Sequence, residues 1–471
     1  MSREQALALA ADFYDSGAFQ NVLASRVACP TESQEPARAP ELAGYLSSQI
    51  VPSLQAMGFA CEIWENPIPG LSPFLFAKRS EADAAFTVLS YGHGDVVRGH
   101  AKQWREGLDP WRLTIEGDRW YGRGTADNKG QHSINLAALE QVLAVRRGLL
   151  GYNVSLLLEM GEETGSPGLR QVCEARREAL AADVFLASDG PRIAAGRPTL
   201  FLGSRGGVNF DLRIHLRPAG HHSGNWGGLL RNPGIRLAHA IASLVDARGR
   251  ILVPALLPDI LPANVREALS TIEVGGGVGD PEIDPLWGEP SLSPTERVLG
   301  WNTLEVLAFK TGNPDAPVNA IPGHASAHCQ IRYVVGSDSG RFLHHIRGHL
   351  DAQGFTDVEV TPSGETMAAT RLDPDNPWVR WALASMSRST GKSPALLPNL
   401  GGTLPNDNFS DVLGLPTLWV PHSYPACAQH APDEHLLGSV ARESLQLMAG
   451  LFWDLAEDGP QIAASLRGDA R

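Results

Sequence analysis

A chain of 471 residues and 50.5 kDa is longer than one hydrophobic core usually serves, and 43% hydrophobic residues exclude a disordered polymer. Its 39 basic against 52 acidic residues leave a formal charge of −13, which repels phosphate backbones and argues against nucleic acid as a partner. No apolar run approaches the ~18 residues of a membrane span, and five scattered cysteines without a C-x-x-C pair fit reduced thiols in a cytoplasmic protein rather than a disulfide framework or a thiolate zinc site.

In chain order, the N-terminal MSREQALALAADFYDSG is charged at once, with an apolar stretch too short for a secretory signal. Helical spacing covers residues 3–25 and 40–57, and GFACEIWEN then alternates like a strand. AAFTVLSYGHGD (84–95) is a short continuous apolar run with a polar end, the pattern of a strand buried on both faces. A helix over 132–147, a buried-type strand over 152–160, a helix over 165–180 and a strand over 182–190 follow. That alternation predicts an α/β fold with a mostly parallel sheet. Near residue 200 the style changes. Half-exposed strands are expected at 206–216, 301–312, 324–335 and 358–363, with helices at 232–249 and 339–354. The first style returns with a helix over 376–390, a strand over 415–421 and a helix over 443–458. The chain therefore divides into a catalytic domain of residues 1–200 and 366–471, interrupted by an inserted α+β domain of residues 201–365. The Pro/Gly-rich region 254–300 has no assigned role.

Ligands gather at the carboxyl ends of strands in open parallel sheets, and several such ends carry metal-compatible side chains. The first offers His93 and Asp95, the loop YGRGTADNKG offers Asp127, the next strand ends in Glu162 and Glu163, and the third in Asp189. PACAQHAPDEH adds His430. Two imidazoles and several carboxylates, without a thiolate, suit Zn²⁺, with Mn²⁺ or Co²⁺ as alternatives. The set exceeds what one tetrahedral ion needs, which favours two metals and a carboxylate bridge.

The ordered motifs GHGDVV (92–97), YGRGTADNKG (121–130), MGEETGS (160–166), SDG (188–190) and QHAPDE (429–434) resemble those of the M20 metallopeptidases, dinuclear zinc hydrolases that include dipeptidases, carboxypeptidases and amino-acid deacylases. The resemblance spans nearly the whole chain. It implies that His93 and Asp189 bind one zinc, that Glu163 and His430 bind the other, and that Asp127 bridges them. Asp95 would orient His93 and Glu162 would be the general acid/base, the bend after the strand letting Glu162 and Glu163 point apart. Arg98 departs from the proline common after the DVV.

In the insert, GHHSGNWGG (220–228) resembles the family's H-S-G loop, whose histidine, here His222 with His221 as its rival, would donate to the oxyanion from a partner subunit. VNAIPG (318–323) implies that Asn319 approaches the substrate, and HCQIRYVV implies that Arg332 binds its carboxylate through a bidentate pair. GGTLPND (401–407) places Gly402 and Thr403 at the same terminus. The expectation is a cytoplasmic homodimer, joined through the insert, with two zinc ions per subunit, cleaving amide bonds of small carboxylate-bearing substrates as a dipeptidase. The rival within the same chemistry is an N-acyl-amino-acid deacylase of the acetylornithine or succinyl-diaminopimelate type. The rival of another class is a metal-binding protein without catalysis.

Overall fold

The computed structural model describes residues 1–275, 281–364 and 366–469 and forms two compact units. The first comprises Met1–Gly203, Leu372–Leu397 and Pro405–Arg471, and the second Ser204–Arg371 with Pro398–Leu404.

The first unit is built on an eight-stranded sheet. From one edge to the other its strands are Ala60–Trp64, Phe74–Arg79, Asn153–Glu159, Thr87–His93, Val184–Ala187, Thr417–Trp419, Thr199–Phe201 and Ala395–Leu397. Four of its seven neighbour pairs are parallel, and three are antiparallel. The fold is thus α/β with a mostly parallel sheet, edged by an antiparallel hairpin.

The interior strands are apolar because both faces are covered. Val88, Leu156, Leu158, Val184, Leu186, Leu200 and Leu418 pack in the main core with Ile134, Ala138 and Val142 of the helix Lys129–Val145. The alternate residues Leu89, Tyr91, Leu157, Phe185, Phe201 and Trp419 are equally buried. Among these Phe185 stacks on Phe409 at 4.3 Å and Trp419 lies 5.0 Å from Phe185. Each strand therefore hides both rows of side chains, and only its end reaches a surface.

The first expected helix is two, Arg3–Asp15 and Ala18–Val27, because Gly17 takes a left-handed φ of 80°. Ser2 and Gln5 form a capping box at its start. The expected helix over 165–180 is shorter, Leu169–Ala175, entered through Gly168 at φ 93°. The last helix runs longer, Gly438–Asp469, and packs against Arg3–Asp15, Lys129–Val145 and Pro377–Thr390.

The second unit holds a four-stranded antiparallel sheet in the order Thr303–Thr311, His324–Tyr333, Gly206–His215, Glu359–Pro362. Buried residues alternate in the two central strands, where Val208, Phe210, Leu212 and Ile214, with Ala325, Ala327, Cys329 and Ile331, form one buried face, whereas the edge strand Thr303–Thr311, expected to alternate, buries only Leu304. Leu237, Ala240 and Leu244 of the helix Pro233–Leu244 pack there, as do Phe342, Ile346 and Leu350 of Phe342–Ala352. Within 254–300, short helices occupy Ala263–Leu269 and Pro294–Leu299.

Candidate metal centre

The interior strand Thr87–His93 carries His93 at its carboxyl end, with the imidazole fully buried. Its Nε2 stands 3.0 Å from Asp127 Oδ1, 3.6 Å from Asp189 Oδ2 and 4.0 Å from Glu162 Oε2. On the far side of Asp127, Oδ2 lies 3.1 Å from His430 Nε2, which is itself 3.0 Å from Glu163 Oε2. The five expected ligands thus fall into two adjacent groups, His93–Asp127–Asp189 and Asp127–Glu163–His430, each with its ligand atoms within 4.8 Å of one another. Asp127 belongs to both, one oxygen facing each histidine.

These donors fit a pair of divalent cations. Ligand atoms around a tetrahedral ion with bonds of ~2.0–2.1 Å stand roughly 3.3 Å apart, close to the spacings here. Among the described residues Glu163 Oε1 is buried without a hydrogen-bond partner, so one oxygen of that carboxylate is left for a ligand. The electrostatics agree. Burial works against a charged His93, yet hydrogen bonds to Asp127, Asp189 and Asp95 hold its pKa well above the usual imidazole range. Hydrogen bonds to Asp127 and Glu163 push His430 up to about 11. Burial, followed by the Asp127 charge, pushes Glu163 up to about 7. A cluster that draws protons onto both imidazoles is one in which negative charge dominates, and cations relieve it.

Asp95 sits beneath this pair and is fully buried. Its Oδ1 is 3.3 Å from His93 Nδ1. The same carboxylate accepts the backbone N–H groups of Glu162 and Glu163, each at 3.2 Å. His93 Nδ1 also lies 3.1 Å from the Asp95 carbonyl oxygen, so Asp95 contacts the histidine through backbone and side chain while its carboxylate anchors the turn Glu162–Thr164, a second task the sequence did not disclose. That turn lies between Gly161 and Gly165 and splays the neighbouring glutamates: Glu163 joins the second metal group and Glu162 neither. Burial raises the Glu162 carboxyl well above the usual range.

The loop before Lys129 is tightly set. A Cβ on Gly130 would lie 1.9 Å from the Thr125 carbonyl oxygen, so only glycine lets the helix start against the loop that carries Asp127. Two residues outside the expected set reach that loop. Buried Glu434 accepts from its backbone, and Gln429 donates its amide to Asp127 Oδ2. Arg98 lies on the surface, paired with Glu35 and away from the cluster.

The other expected residues belong to the second unit. The strand His221–His222 pairs with Ala320–Ile321, and Ser223 N donates to the Asn319 carbonyl at 2.9 Å, so the H-S-G loop and the N-A-I-P segment are neighbours. His221 and His222 are both exposed. His222 Nδ1 accepts from Gly224 N at 3.2 Å, while His221 sits edge-on to Trp226. A Cβ at Gly224 would stand 2.9 Å from His222 Cε1, so a side chain there would displace the exposed imidazole. Arg332 and Thr403 both flank Gly207, whose added Cβ would lie 3.7 Å from Arg332 Nη1 and 3.8 Å from Thr403 Cγ2. Half-buried Arg332 donates Nε to Gln330 at 2.9 Å. Buried Arg205, also outside the expected set, donates to the Arg332 carbonyl and adds a second positive charge nearby.

Comparison with known proteins supplies independent findings. The sequence profile of "Peptidase family M20/M25/M40" matches residues 89–454. The human Beta-Ala-His dipeptidase is 32% identical over an alignment covering 83% of this chain and 78% of that one. The Corynebacterium striatum cysteinylglycine-S-conjugate dipeptidase is 24% identical, covering 76% and 77%. Among solved structures, the Saccharomyces cerevisiae di-peptidase Dug1p shares the fold with a TM-score of 0.77 at 22% identity, covering 97% of this chain and 99% of that one.

Proposed function

Because the chain belongs to peptidase family M20/M25/M40, we propose that this peptidase is a dinuclear zinc dipeptidase, with Mn²⁺ or Co²⁺ as alternative metals. The single observation that carries the reading is the shared Asp127 carboxylate, with His93 and Asp189 on one side and Glu163 and His430 on the other. When bound there, the metals would supply Lewis acidity toward the amide carbonyl and make hydroxide available near neutral pH. Glu162, outside both ligand groups, takes the proton of the attacking water on its carboxylate and returns it to the leaving nitrogen. Asp95 keeps the His93 ring and the Glu162–Glu163 turn in register for that transfer. The preference for dipeptides rests on the relatives named as dipeptidases.

The second unit, read as the inserted domain, supplies the remaining groups. His222 donates to the oxyanion, Asn319 approaches the substrate, and Arg332, with Gly402 and Thr403, binds its free carboxylate. The planar guanidinium matches a carboxylate in a bidentate pair, and Arg205 beneath it reinforces the positive potential. Arg332→Ala should raise KM for dipeptides by about 10–100-fold, the worth of a charged hydrogen-bonded pair, with a smaller change for peptides amidated at the C-terminus. Equal losses for free and amidated substrates would remove Arg332 from carboxylate binding.

The same unit is proposed to join two chains. Its edge strand Thr303–Thr311 exposes Val306, Leu307 and Phe309 at 40%, 55% and 44% beside a backbone edge that pairs with no strand among the described residues, a surface that attracts a second strand. Sedimentation should give twice the chain mass of 50.5 kDa, and Phe309→Lys should give the single mass. A wild-type protein sedimenting as one chain would overturn the dimer. All five cysteines are free thiols, which supports a cytoplasmic location, and among the described residues no helix is long and apolar enough to cross a membrane.

Activity assays on metal-loaded protein with a panel of dipeptides and N-acetyl amino acids test the proposal. Dipeptide hydrolysis that disappears on chelation and returns with Zn²⁺ is expected. Cleavage of N-acetyl amino acids with dipeptides untouched would favour the deacylase reading.

A further inference from the structure

We propose that Glu434 is a positioning residue that sets the shared Asp127 carboxylate between the two metal groups. The proposal rests on the reading of Asp127 as the ligand common to both.

Glu434 is 1% exposed and lies four residues beyond His430. The loop of residues 122–127 wraps around its carboxylate. Oε1 accepts from the backbone N–H groups of Gly124, Ala126 and Asp127 at 3.0, 2.9 and 3.1 Å. Oε2 accepts from Gly124 N at 3.1 Å and from Arg123 Nη1 at 2.7 Å. The Glu434 carbonyl takes a further bond from Gly122 N at 3.0 Å. Successive N–H groups converging on one anion form a nest, and here the anion is supplied by the chain itself. Arg123, also 1% exposed, leaves the buried charge paired, and its guanidinium packs 5.7 Å from the Trp104 ring.

The consequence for the site is geometric. The hydrogen bond from Asp127 N fixes the backbone of the residue whose two oxygens face His93 and His430. Antiparallel pairing of Arg119–Tyr121 with His435–Leu437 brings the two segments together from the other side. The donor of one metal group, His430, and the carboxylate common to both are thereby tied within a few residues of one buried anion. Gln429 adds a lighter tether by donating to Asp127 Oδ2. An ionised carboxylate is required at 434, because all four groups facing it are donors. A glutamine would turn its own N–H₂ toward one of them.

The test is titration of the full-length, metal-free protein with Co²⁺, following calorimetric affinity, the visible d–d spectrum and the magnetic coupling of the bound pair. Glu434→Gln, equal in volume, should weaken binding by about 10–100-fold, as loss of groups that orient ligands does, and should lose the coupled-pair signature while retaining the wild-type circular dichroism. Glu434→Asp, which keeps the charge with a shorter reach, should recover part of both. Gln429→Ala should give a smaller change in the same direction. Two Co²⁺ ions bound by Glu434→Gln with wild-type affinity and coupling would overturn the proposal. So would failure of both Glu434 variants to fold, which assigns the residue to folding alone. A wild-type protein that binds no coupled pair would overturn instead the two-metal reading on which the proposal stands.

Discussion

Glu162→Ala is expected to lower kcat by about 10²–10⁴-fold, the usual share of a positioned general acid/base, with two metal ions still bound and KM little changed. The expectation follows from the division of labour at the turn Glu162–Thr164. Glu163 Oε2 contacts His430 at 3.0 Å and belongs to a metal group, whereas Glu162 Oε2 stands 4.0 Å from His93 Nε2 and belongs to none. Its side chain is 16% exposed, so it reaches the space where a water and an amide would meet while being shielded on its other sides. An interaction made chiefly in the transition state lowers kcat and kcat/KM together. Steady-state kinetics with metal analysis on the same preparation separate this from ligand loss. Unchanged turnover would take Glu162 out of the mechanism, and loss of a metal ion would make it a ligand.

Asp127→Asn should have the larger effect on the metals. The substitution keeps the shape but replaces one oxygen by an amide donor beside either His93 Nε2 at 3.0 Å or His430 Nε2 at 3.1 Å. Because both groups share this carboxylate, both ions should weaken, by more than the ~10–100-fold that follows loss of an orienting group. Activity should fall with them. His430→Ala, touching only one group, should weaken one ion and spare the other. An Asp127→Asn protein that holds two ions at wild-type affinity would show that the carboxylate is not shared.

The central strands were readable because burial on both faces leaves uninterrupted apolar runs, as in Thr87–His93 and Asn153–Glu159. The placement of the polar residues at their ends then follows from topology. The strands Thr199–Phe201 and Ala395–Leu397 escaped because three residues carry no periodicity, and their pairing is set by the sheet rather than by local preference. Phe74–Arg79 escaped because it follows a Pro/Gly-rich loop and its pattern is nearly uniform. Gly17 and Gly168 broke helices that spacing alone continued.

At the site, residue type at strand ends and in two loops offered His93, Asp95, Asp127, Glu162, Glu163, Asp189 and His430, the resemblance to the M20 family implied which five of them are ligands, and the structure brings the side chains of those five together. Glu434 could not be singled out, although QHAPDE contains it, since an acid that satisfies a nest of backbone N–H groups looks in sequence like any turn residue. Arg123 and Arg205 share that difficulty: buried arginines show their partners only in three dimensions. The second task of Asp95, holding the Glu162–Glu163 turn, needed the backbone path.

Anomalous diffraction at the zinc edge, from crystals of the zinc-loaded protein, tests the central claim most directly. Two peaks about 3.5–4 Å apart, one beside His93 and Asp189, the other beside Glu163 and His430, with Asp127 between them, are the predicted result. A single peak, or zinc bound away from Asp127, would contradict the account.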